Sequence, residues 1–133
     1  EHNTDYLSDD ALKWHPRLGI HAANVAPEFG VAETKSLIKT LQKNNLQKIL
    51  EKFLELSYNS KKWEKWMLPN TISSDFEKAI ISGHYIFSTK DCLEIKKEAD
   101  KELNKRGIKL NDVLKEDVKK SITRYMSLFR LIK

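Results

Sequence analysis

The sequence predicts an α/β fold, of which this chain carries the last units followed by a helical extension. Three observations predict it. A polar cluster, Glu1-His2-Asn3-Thr4-Asp5-Tyr6, stands at the start. Further on, the apolar stretch Leu18-Gly19-Ile20-His21-Ala22-Ala23 runs into a second polar cluster, Asn24-Val25-Ala26-Pro27-Glu28-Phe29-Gly30. Everything after Gly30 carries helical periodicity. Cluster, helix, strand, cluster, helix is the order of consecutive βα units, whose functional groups gather at strand C-termini. Glu1 falls where a strand should be ending, so the expectation is that the rest of that strand lies upstream.

The elements follow in order. Ser8 is a suitable N-cap, and Asp9 and Asp10 suit the positive end of a helix dipole, so a helix is predicted through Ala11, Leu12 and Trp14. Pro16 marks its end. Ile20, Ala22 and Ala23 are small or branched enough for a strand in a crowded interior. Pro27 and Gly30 are read as the turn into a helix from about Val31 to Lys43, with Leu37, Ile38 and Leu41 inward. Asn44 and Asn45 break that helix and are expected to cap the next. There Leu46, Ile49, Leu50, Phe53 and Leu54 take the spacing of a core-facing helix.

Tyr58-Asn59-Ser60 interrupts, and Trp63, Trp66, Met67 and Leu68 lead to a stop at Pro69-Asn70. Ser73 or Ser74 caps a helix through Phe76, Ala79, Ile80, Ile81, Tyr85 and Ile86. Ser88 is the predicted cap of the next, which carries Leu93, Ile95 and Leu103 and ends at Gly107 as its left-handed terminal residue. Asn111 is the predicted cap of a last helix through Leu114, Val118, Ile122, Tyr125, Met126 and Phe129. One strand and six or seven helices cannot build a sheet alone.

Composition narrows the function classes. The chain has 133 residues, 40% apolar and 32% charged, which suits one domain with a core. No apolar run reaches the roughly 18 residues that a membrane span needs, and no signal-peptide core stands at the N-terminus. The single cysteine, Cys92, excludes an intramolecular disulfide and a cysteine zinc site, and fits a reducing cytoplasm. The net charge of +5 divides into −3 over residues 1–30 and +8 beyond. The lysines of the basic part alternate with glutamates, as in Lys61-Lys62-Trp63-Glu64-Lys65, which reads as a solvated helical surface and not as a nucleic-acid stripe.

The first cluster, the helix after it and the segment Ile20 to Pro27 together resemble the C-terminal part of the non-catalytic (accessory) subunit of class II D-tagatose-bisphosphate aldolase, formerly described as tagatose-6-phosphate kinase. His2, Thr4, Asp5 and Tyr6 match the family's His-Ser-Thr-Asp-Tyr-like stretch, with Asn3 in place of serine. Val25 and Pro27 match its Val-Gly-Pro-like turn, with Ala26 in place of glycine. Trp63-Glu64-Lys65-Trp66-Met67-Leu68-Pro69 resembles the aromatic, lysine-bearing segment that follows. The chain departs from the family at Asn24, where lysine is expected, and at Glu28-Phe29-Gly30, where an apolar run is expected.

The resemblance implies a (β/α)8 TIM barrel, which takes about 250 residues. Residues 1–44 would then be its last βα units, and residues 45–133 a helical C-terminal extension packed on it. It also implies a cytoplasmic protein of hexose-phosphate metabolism, which supports the activity and stability of a zinc-bearing catalytic aldolase partner. No cofactor is expected in this chain itself.

The candidate chemistry lies in the same residues. In a barrel, His2, Asn3 and Asp5 would follow one strand at the mouth, and Asn24 and Glu28 the next. Asp5 and Glu28 could form a general acid/base pair, with His2 beside them, if they converge. Asp5 could equally hold a turn through its own backbone, a common use of aspartate beside threonine. Asn3, Asn24, Gly30 and Val31 are the candidates for phosphate or sugar-hydroxyl binding, because the N–H groups of a helix opening at Gly30-Val31 would suit an anion. No histidine spacing marks a metal site. Trp63 and Trp66, three apart, would share a face and serve as core, sugar platform or partner anchor. Arg124, Tyr125 and Arg130 could reach a phosphate from the last helix.

Three functions therefore stand open. They are an accessory subunit of a class II aldolase, a sugar-phosphate enzyme (aldolase or epimerase) in its own right, and a small helical interaction module.

Overall fold

The computed structural model describes residues 1–133 and contains six α-helices, one 3-10 turn and no strand. The helices are α1 (Asp9–Arg17), α2 (Pro27–Lys43), α3 (Gln47–Asn59), α4 (Asp75–Ile86), α5 (Lys90–Asn104) and α6 (Leu110–Leu128). The expectation of an α/β fold, the end of a TIM barrel, is thereby overturned. A piece of a barrel needs strands, and Ile20 to Ala26 lies in no helix and no strand.

The physical reason is visible in the backbone. The segments at residues 1–4 and 22–24 run side by side, with the Glu1 nitrogen donating to the Ala22 carbonyl at 2.8 Å. Asn24 N–H donates to Glu1 O at 2.9 Å, and Thr4 N–H to Asn24 O at 3.0 Å. Asn3 sits between these bonds in the left-handed region, at φ 61°, and breaks the register before a ladder can form.

Helix ends explain the other differences. Ser8 caps α1 by accepting from Ala11 N–H. Gly19, at φ 74°, then closes that helix, because Gly19 N–H bonds Pro16 O while Ile20 N–H bonds His15 O. Pro16 therefore lies inside the last turn, and the residues first read as the start of a strand are the helix stop. Asn45, at φ 57°, closes α2 in the same manner through Asn45 N–H to Gln42 O and Leu46 N–H to Leu41 O. It ends one helix and does not cap the next. Ser74 caps α4 in a reciprocal box with Glu77. Thr89, and not Ser88, caps α5 by accepting from Cys92 N–H. Gly107 ends α5 as predicted, at φ 73°. Asn111 lies within α6, which opens at Leu110, whose N–H donates to Asp100.

One core joins α2 to α6. Leu37, Ile38 and Leu41 of α2 meet Ile49, Leu50 and Phe53 of α3, Ile86 of α4, Cys92, Ala99 and Leu103 of α5, and Leu110 and Leu114 of α6. Each large side chain fully buried in this way contributes about 1.5–3 kcal/mol relative to exposure. Burial also pushes the Cys92 thiol up to about 11, so it stays protonated and inert. No helix is long and apolar enough to cross a membrane.

Polar ties set the helix registers within that core. Ser57 Oγ donates to Ala79 O at 2.6 Å, joining α3 to α4. Ser36 Oγ donates to Asp117 Oδ2 at 2.5 Å, joining α2 to α6. That hydroxyl holds the Asp117 carboxyl below its ordinary range.

Two glycines let α2 and α4 cross closely. A Cβ at Gly83 would stand 2.4 Å from Thr34 Cγ2, and one at Gly30 would stand 2.6 Å from His84 Cγ. Thr34 cannot swing clear, since it is fully buried and its hydroxyl donates to Gly30 O at 3.0 Å. Gly83→Ala should therefore lower stability by about 1–2 kcal/mol, since the clash outweighs the better helix propensity of alanine. Urea denaturation checks this, and an unchanged or raised midpoint would contradict the close crossing.

Candidate functional site

Helix α2 begins at Pro27, four residues before the sequence reading placed it, and this displacement determines the site. Proline at the first helical position is favourable, but the residue before it is Ala26, which has no side chain to receive the leading N–H groups. Asp5 supplies the missing acceptor from the first polar cluster. Its Oδ1 accepts from Glu28 N–H at 2.9 Å, and both of its oxygens lie 3.2 Å from Ala26 N. The anion position of this helix is thus filled by the protein's own carboxylate.

Glu28 closes the network from the other side. Its Oε2 accepts from Tyr6 N–H at 2.6 Å and from the Tyr125 hydroxyl of α6. Its Oε1 lies 3.4 Å from the Arg124 guanidinium. The same guanidinium donates to Asp9 at 2.7 Å and to the Leu7 carbonyl, so α1, the segment just before it and α6 share one cation. The Thr4 carbonyl lies 2.9 Å from the Tyr125 oxygen and is the alternative acceptor for its single proton. Burial, and then the hydrogen bond to Glu28, raise the Tyr125 phenol above its ordinary value, so it remains a donor throughout the physiological range. The Phe29 ring meets the Tyr125 ring edge-on at 5.6 Å.

Each predicted site residue can now be placed. Asp5 and Glu28 do converge, but with their oxygens turned to donors of this chain. A general base must offer a lone pair to a substrate proton, and here those lone pairs hold backbone, tyrosine and arginine. His2 and Asn3 are exposed and lie outside the network. Asn24 takes part through its carbonyl, which accepts from Thr4 N–H and from Thr4 Oγ1 at 2.6 Å, while its side chain is exposed. Gly30 and Val31 lie within α2 instead of opening it. Gly30 faces the His84 ring, and Val31 is buried. No three His, Cys, Asp or Glu side chains converge as a metal-holding group.

The tryptophans diverge instead of sharing a face. Trp63 stacks on Tyr58, donates its indole N–H to Tyr58 O at 2.9 Å and lies under Lys78. Trp66 is 43% exposed and turns toward the first cluster. Tyr6, Pro27, Val31, Lys35, Trp66 and Ile80 line a cavity of about 550 Å³ there. At the crossing of α2 and α4, burial and then the charge of Lys65 hold the His84 imidazole below its ordinary value. Its ring packs against Gly30 and Tyr85.

The sequence does not disclose the role of Arg124 and Tyr125, for which it offers a phosphate contact or plain surface placement. They do reach an anion, and the anion is Glu28. The signal that could have found the network is the Ala26-Pro27 pair, a helix start without a cap that requires a carboxylate from elsewhere.

Comparison with known protein families, with curated proteins and with solved structures finds no match to this chain.

If Asp5 and Glu28 serve as ties, their loss should appear in stability. Asp5→Ala and Tyr125→Phe should each cost about 1–2 kcal/mol, and Glu28→Gln about 1–3 kcal/mol, because a buried partner loses a charge-assisted bond. Denaturant midpoints read this directly, and wild-type midpoints in all three variants would contradict the assignment.

Proposed function

We propose that this chain acts as a non-catalytic, accessory-type subunit that binds and stabilises a zinc-dependent class II aldolase in cytoplasmic hexose-phosphate metabolism. The barrel expected with that family is set aside, and the reading rests on the residues of the resemblance. One observation carries it. Tyr6, Pro27 and Trp66, one from each of the three resembling segments, line a single cavity although they are far apart in the chain.

The engagement of Asp5 and Glu28 favours this reading over an enzyme in its own right, because a carboxylate tied by Tyr6, Tyr125 and Arg124 is not available as a base. The half-exposed Trp66 suits a partner anchor, since aromatic side chains with accessible faces dominate interface energetics. A second reading, a small freestanding helical interaction module, is favoured by the core cluster, which draws on α2 to α6 without the first polar cluster.

The test mixes the full chain with a purified class II tagatose-bisphosphate aldolase catalytic subunit. Co-elution is expected, with slower thermal inactivation of the aldolase, and Trp66→Ala should weaken the association about tenfold, the size of one modest interface anchor. A clean pull-down without association would remove the aldolase reading. A cooperative melt of the chain on its own would then leave the interaction module.

A further inference from the structure

The segment Ile20 to Val25 pairs with residues 1–4 in a strand-like manner around Ala22–Asn24, and in doing so uses one of its two backbone edges. Ala22 O, Asn24 N–H and Asn24 O all bond to residues 1–4. In extended chain the hydrogen-bonding groups alternate sides from residue to residue. The N–H and C=O groups of His21, Ala23 and Val25 therefore point the other way, and none of them has a partner within the protein.

Two further observations concern the same segment. First, an apolar groove of about 380 Å³ lies between it and α6, lined by Val25 and Phe29 on one side and Ile122, Met126, Phe129 and Leu131 on the other. Ile122, Met126 and Leu131 are 38%, 36% and 69% exposed. Second, the usual protections of an open edge are missing. From Leu18 to Ala26 the chain has no lysine, arginine, aspartate, glutamate or proline to repel or block an incoming strand.

We infer that the outer edge of Ile20–Val25 is a strand-acceptor site, which takes an extended segment of a partner polypeptide with apolar residues at every second position. The backbone decides the class of occupant. A helix satisfies its own N–H and C=O groups and has none to offer, whereas an extended strand presents donors and acceptors at the two-residue spacing of His21, Ala23 and Val25. Alternate side chains of that strand would enter the groove against Ile122 and Met126 while the others face solvent. This inference does not depend on the identity of the partner proposed above.

The experiment selects random dodecapeptides displayed on phage against the full chain. Enriched peptides should alternate apolar and polar residues. A synthetic copy should lose binding about tenfold when N-methylated at one alternate set of residues and bind unchanged when methylated at the other, since only one set faces the edge. Ala23→Pro should abolish binding with helical circular dichroism intact, because Ala23 N–H has no partner to lose within the chain. The inference is overturned if no peptide is enriched, if the peptides show helical periodicity, or if both methylation patterns behave alike. It is also overturned if the edge is taken by a second copy, seen as self-association that Ala23→Pro abolishes.

Discussion

A helix that starts after an alanine has no local side chain for its leading N–H groups, and in this protein the acceptor for α2 comes from Asp5, 21 residues before Ala26. Much else depends on that contact. With Asp5 seated on α2, the Tyr6 N–H reaches Glu28, and Glu28 is then held where Tyr125 and Arg124 of α6 can meet it. Arg124 extends the connection to Asp9 at the start of α1. The polar N-terminal segment, short of apolar side chains, is thereby fastened to a helical body whose core lies elsewhere. Charge-assisted bonds in a partly dry setting are stronger than neutral ones, which makes so small a set of contacts sufficient.

The body itself follows from different physics. Close approach of α2 and α4 requires Gly83 beside Thr34 and Gly30 beside His84, and the buried hydroxyls of Ser36 and Ser57 fix helix registers with single bonds. Because α2 takes part in both systems, it transmits the position of the polar network to the core. The cavity lined by Tyr6, Pro27 and Trp66 lies at that junction. Its shape therefore depends on the helix start at Pro27 and on the turn that carries Trp66.

The helical part was legible because its signals are local. The apolar spacing of Leu37, Ile38 and Leu41 and of Ile49, Leu50 and Phe53, the cap at Ser74 and the stop at Gly107 all act within one helical turn or two. The stretch from Leu18 to Gly30 was not legible, for a reason of the same kind. Ile20, Ala22 and Ala23 have the composition of a strand, but strands are made by partners, and Asn3 interrupts the pairing with residues 1–4. Gly19 was grouped with that strand although a glycine two residues past a helix end is a stop signal. Whether Asp5 and Glu28 converge is left open by the sequence, and the structure brings them to one network. That their lone pairs would be consumed by Tyr6, Tyr125 and Arg124 depends on contacts as much as 97 residues apart, which no local pattern reveals.

The central claim is that Asp5 fastens the polar N-terminal segment by receiving the leading N–H groups of α2, and native-state amide hydrogen exchange tests it at the atoms concerned. The Ala26 and Glu28 amides should exchange at least about tenfold more slowly than in an unstructured chain. Asp5→Ala should remove that protection while leaving the amides of Leu37 and Leu41 protected. Unprotected Ala26 and Glu28 amides in the wild-type chain, or protection that survives Asp5→Ala, would contradict the account.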